Sequence, residues 1–70
     1  MYTIGKLARK FHISRSTLLY YDLIGLLTPS KRDSNKYRIY SDKDYERLEK
    51  IMLYREAGIS LDKIRNILET

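Results

Sequence analysis

TIGKLARKFHISRSTLLYYDLIG, residues 3–25, is the stretch that decides the fold. Thr3 is of a helix-capping type, and Ile4, Leu7, Ala8 and Phe11 recur at i, i+3, i+4 and i+7, one apolar helix face. Lys6, Arg9 and Lys10 fall off that face. His12 and Ile13 break the pattern, and Ser14 caps a second helix over about Arg15 to Leu23. Gly25 suits the position after that helix, where a left-handed backbone costs glycine nothing. Two helices joined by so short a turn read as a helix-turn-helix.

Working outward, Leu26 and Leu27 start an extended segment, and Pro29 forbids helix there. Ser30 to Lys36 is a polar turn, and Tyr37 to Tyr40 reads as a short strand with Tyr37 and Ile39 on one face and Arg38 and Tyr40 on the other. Together, residues 28–40 or so make a wing-like hairpin with a basic loop. Ser41 caps a third helix, whose first turn is suited by Asp42 and Asp44 and whose apolar stripe is Tyr45, Leu48, Ile51 and Met52. Glu46 and Lys50 are spaced for an outward i, i+4 pair. Gly58 ends that helix. Ser60 caps a fourth, with Leu61, Ile64, Ile67 and Leu68 facing inward. The expected fold is mostly α: a winged helix-turn-helix with four short helices and a small two-stranded wing, one domain over residues 1–70.

Composition agrees with a small single-core domain. Seventy residues, 43% of them hydrophobic, are enough to fold, with roughly 60% of the unfolded surface buried. The chain has no Cys, so neither disulfides nor thiolate metal sites support it. The net charge of +5 is unevenly placed. Residues 1–40 hold eight basic and two acidic side chains, and residues 41–70 hold six and seven. Clustered positive charge attracts polyanions. No apolar run approaches ~20 residues, so no membrane span is expected. No secretory signal is read at the N-terminus, and a cytoplasmic, nucleoid-associated protein is expected.

On the second helix, at ~100° per residue, Leu18, Tyr21 and Asp22 fall on one side and Arg15, Ser16, Leu19 and Tyr20 on the other. If Leu18 packs inward, Arg15, Ser16 and Tyr20 point out near the helix N-terminus, the part that enters the major groove in a helix-turn-helix. Arg15 can read guanine, and the hydroxyls can hold phosphate. Tyr21 reads as packing with its hydroxyl at the rim. Arg32, Lys36 and Arg38 form a wing cluster that can lie on the backbone or in a minor groove. The bland reading, solvated charge and rim packing, weakens once a basic hairpin directly follows a helix-turn-helix, because both can face one duplex. Arg55 reads as ordinary surface.

The order and spacing of several blocks resemble the N-terminal DNA-binding domain of the MerR family of bacterial transcription regulators, over essentially the whole chain. They are Tyr2-Thr3-Ile4-Gly5-Lys6-Leu7-Ala8, Ile13-Ser14, Thr17-Leu18-Leu19-Tyr20-Tyr21-Asp22 and Gly25-Leu26-Leu27. Pro29, Arg32, Tyr37-Arg38-Ile39-Tyr40-Ser41, Leu48, Ile51, Tyr54-Arg55, Gly58, Ser60-Leu61 and Ile64 continue the pattern. The resemblance implies a regulator that binds double-stranded promoter DNA as a two-fold homodimer, distorts an overlong promoter spacer, and so acts indirectly on RNA polymerase. It also implies contacts, mostly to phosphate, from Thr17, Tyr20, Tyr21, Arg38 and Arg55, and it sets Tyr37 beside them in the wing.

Three positions depart from the family pattern. Leu19 stands where Arg is usual, exchanging a charged contact for an apolar one, such as a thymine methyl. His12 stands where Gly is usual and reads as a turn residue in a left-handed backbone. Lys36 stands where Gly is usual, with Asn35 expected to supply the permissive backbone. The family's dimerisation helix and effector domain have no counterpart here, so this segment is expected to be monomeric and to bind DNA weakly and with strong salt dependence. Two other readings use the same fold: an excisionase-like architectural DNA binder, and a protein-interaction adaptor in which Leu19 is the contact. Catalysis fits poorly. Ser60-Leu61-Asp62-Lys63 matches Ser-x-x-Lys, but an N-cap explains Ser60 more simply. His12 has no second His or Cys at metal-ligand spacing, so no metal or cofactor is expected.

Overall fold

The computed structural model describes residues 1–69. In chain order the elements are β1 (Tyr2–Thr3), α1 (Ile4–Phe11), α2 (Arg15–Leu23), β2 (Lys31–Arg32), β3 (Arg38–Tyr40), α3 (Asp42–Glu56) and α4 (Leu61–Leu68). Each helix begins where a side-chain oxygen takes up a backbone N–H otherwise left unpaired. The Thr3, Ser14 and Ser60 hydroxyls accept from the N–H groups of Lys6, Thr17 and Lys63. Ser41 and Asp44 form a reciprocal capping box at α3. Asp44 Oδ2 also accepts from the Ser30 N–H at 3.0 Å and the Ser30 hydroxyl at 2.6 Å, which fastens the start of the wing to α3.

The turn between α1 and α2 is left-handed at His12, with φ 55° and ψ 41°, and Ile13 N–H returns to the Ala8 carbonyl at 3.1 Å. Gly25 is left-handed too, at φ 72°. Leu26 and Leu27 are not extended, as the sequence suggests, but wrapped in the turn that ends α2. Both their N–H groups go to the Tyr21 carbonyl, at 2.8 and 3.1 Å. That wrapping buries both leucines.

The wing also differs in detail. Lys31 and Arg32, read as part of a polar turn, form β2, and Tyr37 lies just before β3. One acceptor shapes the loop: Asp33 Oδ1 takes the N–H groups of Asn35 and Tyr37 at 2.9 and 3.0 Å. The left-handed residue is Lys36 itself, at φ 66°, not Asn35. The sheet has three strands in the order β1-β3-β2, all antiparallel neighbours. Tyr2 pairs with Tyr40 and Thr3 with Ile39, so the residues leading into α1 take the edge of β3 that the hairpin leaves open.

Leu7, Ala8, Leu18, Tyr21, Leu26, Leu27, Tyr40, Leu48, Ile51 and Ile64 form one buried core. Tyr45 stacks on Tyr2, ring centroids 5.1 Å apart, and meets Phe11 at 4.8 Å. Ile67, expected inward, is exposed. Glu46 and Lys50 are not among the ion pairs of the described residues, which join Arg32 and Arg38 to Asp22 and Arg65 to Asp62. Burial pushes the Tyr40 hydroxyl above its ordinary range.

Candidate nucleic-acid interface

α2 presents two distinct faces. Leu18 and Tyr21 are buried, which turns Arg15, Ser16, Leu19 and Tyr20 outward. Leu19 and Tyr20 remain 42% and 50% exposed on that outer face. Thr17 is half-buried, its hydroxyl 2.9 Å from that of Ser14, inside the N-cap.

The wing folds back towards this outer face. A groove of about 400 Å³ lies between the start of α1, α2 and the wing, lined by Arg15 and Leu19 on one side and Lys36, Tyr37 and Arg38 on the other. Ser16, Tyr20, Arg32, Tyr21 and Arg55 lie outside its lining. Gly5 forms part of the groove floor, under Arg15. A Cβ on Gly5 would stand 2.6 Å from Arg15 Nη2, so the missing side chain gives the guanidinium its seat.

Tyr21 and Arg55 are joined across 34 residues of chain. The Arg55 Nη1 donates to the Tyr21 hydroxyl at 2.7 Å. Tyr21 is 1% exposed, so the hydroxyl is reached through Arg55, while Arg55 itself stays exposed. Arg32 and Arg38 both donate to Asp22 Oδ2, at 3.2 Å from Nη2 and 2.9 Å from Nε.

Sequence reasoning missed Gly5, Asp22 and Asp33 as organisers of this surface. A signal was present for the two acids: they are the only ones in the first forty residues. A minority charge within a cationic region is where an internal acceptor is to be sought. Among the described residues, no group of three or more His, Cys, Asp or Glu could hold a metal ion, and no helix is long and apolar enough to cross a membrane.

The sequence profile described as MerR HTH family regulatory protein matches residues 2–70. The HTH-type transcriptional activator TipA of Streptomyces coelicolor is 43% identical over 68 residues, covering 97% of this chain and 27% of that protein. The crystal structure of MtaN, the N-terminus of the Bacillus subtilis multidrug transporter activator, superposes with a TM-score of 0.97 at 40% identity, over 100% of this chain and 66% of that one. HiNmlR, described as a MerR family regulator lacking the sensor domain and bound to promoter DNA, superposes with a TM-score of 0.86 at 38% identity, over 97% and 54% of the two chains. This chain thus spans about a quarter of the length of TipA.

Proposed function

This chain belongs to the MerR HTH family of regulatory proteins, and on that premise we propose that it binds double-stranded promoter DNA as the reading head of a transcription regulator. The observation that carries the reading is the groove between α2 and the wing. It sets Arg15, Lys36 and Arg38 beside exposed Leu19 and Tyr37 on one surface. α2 enters the major groove by its N-terminal half, where Arg15, Ser16 and Leu19 meet base edges and Tyr20 the adjoining backbone. Arg32, Lys36, Tyr37 and Arg38 lie along phosphates, with Thr17, Tyr21 and Arg55 supporting the backbone contact beside α2.

A binding module rather than an enzyme is the consistent reading, acting in the cytoplasm on nucleoid DNA. HiNmlR, crystallised on promoter DNA at a TM-score of 0.86, supports the DNA assignment by analogy. In a longer chain, two such heads joined as a homodimer would span half-sites about one helical turn apart and act on RNA polymerase through the promoter. One head alone lacks that avidity and binds weakly.

The test is selection from a random duplex pool, followed by titration of the winning and a scrambled duplex at several salt concentrations. Binding that falls steeply with salt, by about 0.9 in log–log slope per phosphate met, supports the reading. No binding to either duplex at low salt, by the chain alone or as a tandem fusion, contradicts it.

A further inference from the structure

Asp22 lies on the last turn of α2, one turn on from Leu19 and turned away from Tyr20, and its side chain is only 15% exposed. Arg32 and Arg38, its two partners, are directly opposite each other in the β2–β3 register. Like charges in that position repel and would splay a hairpin held by so few backbone bonds. A single carboxylate oxygen gathers both guanidinium groups and so neutralises that repulsion.

The way each arginine is held matters for what it can do next. Arg38 donates through Nε and Arg32 through Nη2. A guanidinium has five N–H donors, so each fork keeps N–H groups for another acceptor. The clamp also removes the rotamer freedom that a long side chain must otherwise lose on binding.

We propose that Asp22 is a positioning residue that ties the wing to α2 and aims the Arg32 and Arg38 forks at the DNA backbone. The proposal rests on the DNA reading above. It assigns to an acidic side chain, close to a polyanion, a role that strengthens binding.

That sign makes it testable. Asp22→Ala removes a negative charge, so simple charge balance predicts tighter DNA binding. The clamp predicts the reverse: binding about fivefold weaker, and a log–log salt slope smaller by about 0.9 to 1.8, for one or two phosphates no longer met. Asp22→Glu keeps the carboxylate that gathers both arginines and restores binding to within about twofold of the unaltered chain. The readout is fluorescence anisotropy of a labelled mixed-sequence duplex between about 50 and 200 mM salt, with amide spectra confirming that each variant is folded. Should Asp22→Ala not fold, Asp22→Ser, polar but too short to reach both guanidiniums, takes its place in the same contrast. Equal or tighter binding by the short variant, or no recovery with Glu, overturns the clamp. An unaltered chain that binds no duplex removes the DNA reading itself. That failure is visible before any variant is compared, and the clamp falls with it.

Discussion

The arginines of the wing and those of α3 and α4 carry the same group to different kinds of acceptor. In the wing, Arg32 and Arg38 share one carboxylate oxygen. In the C-terminal helices, Arg47 Nε donates to the Leu26 carbonyl at 2.7 Å, and Arg65 Nη1 to the Ile24 carbonyl at 2.6 Å. Those carbonyls belong to the turn that ends α2, where the helix leaves its last C=O groups unpaired and carries partial negative charge. Arg47 and Arg65 therefore hold α2 in place from behind, while the wing arginines flank it from the front. Charge counting cannot separate the two groups, because the guanidinium is the same; what it touches decides its work. Arg55 stands between the groups, in α3 by sequence and on Tyr21 of α2 by contact.

If the division holds, its largest break comes from behind. Arg65→Ala or Arg47→Ala leaves a carbonyl at the end of α2 without its charged donor. The expected loss is about 1–3 kcal/mol of stability, read as a fall in Tm of about 4–8 °C per kcal/mol. The salt slope of DNA binding should not change. A changed slope with unchanged Tm would move these residues to the front.

Arg15→Ala should cost about 1–3 kcal/mol on the selected duplex and much less on a scrambled one, as base contacts do. Gly5→Ala, which crowds the Arg15 guanidinium without removing its charge, should show the same selectivity in weaker form. Equal losses on both duplexes would reassign Arg15 to the backbone. Arg38→Ala should weaken binding to every sequence by about 1 kcal/mol and lower the salt slope by about 0.9. Sequence-dependent loss there would make the wing a reader of bases. The smallest effect is expected at the interhelical turn. His12→Gly relieves a left-handed backbone at φ 55° and should raise stability by at most about 1 kcal/mol, because glycine also loses more freedom on folding. Binding should stay as it was.

How far each feature could be read from sequence follows the range of the interactions that make it. The caps at Thr3, Ser14, Ser41 and Ser60, and the inward Leu18 and Tyr21, rest on neighbours within one or two turns, so local spacing shows them. The β1–β3 pairing joins residues nearly forty apart, and Tyr2 and Thr3, though of strand-favouring types, are too short a run to announce a strand. Leu26 and Leu27 look extended by composition, yet the Tyr21 carbonyl and the core bend them. At the interface, the outward set on α2 was legible because it is the complement of the apolar face. The groove was not, since it needs the wing's approach to α2. Arg55 was legible only through family resemblance, because its contact with Tyr21 is long-range.

The central claim is that the α2 outer face and the wing make one DNA-binding surface and that α3 and α4 support it from behind. A per-residue amide titration with a mixed-sequence duplex at two salt concentrations tests this most directly. Salt-sensitive shifts confined to Arg15 through Tyr21, Lys31 through Arg38 and the surroundings of Arg55 are the predicted result. Shifts centred on the outward side of α3, at Glu46, Glu49 and Lys50, or no shifts even at low salt, would contradict it.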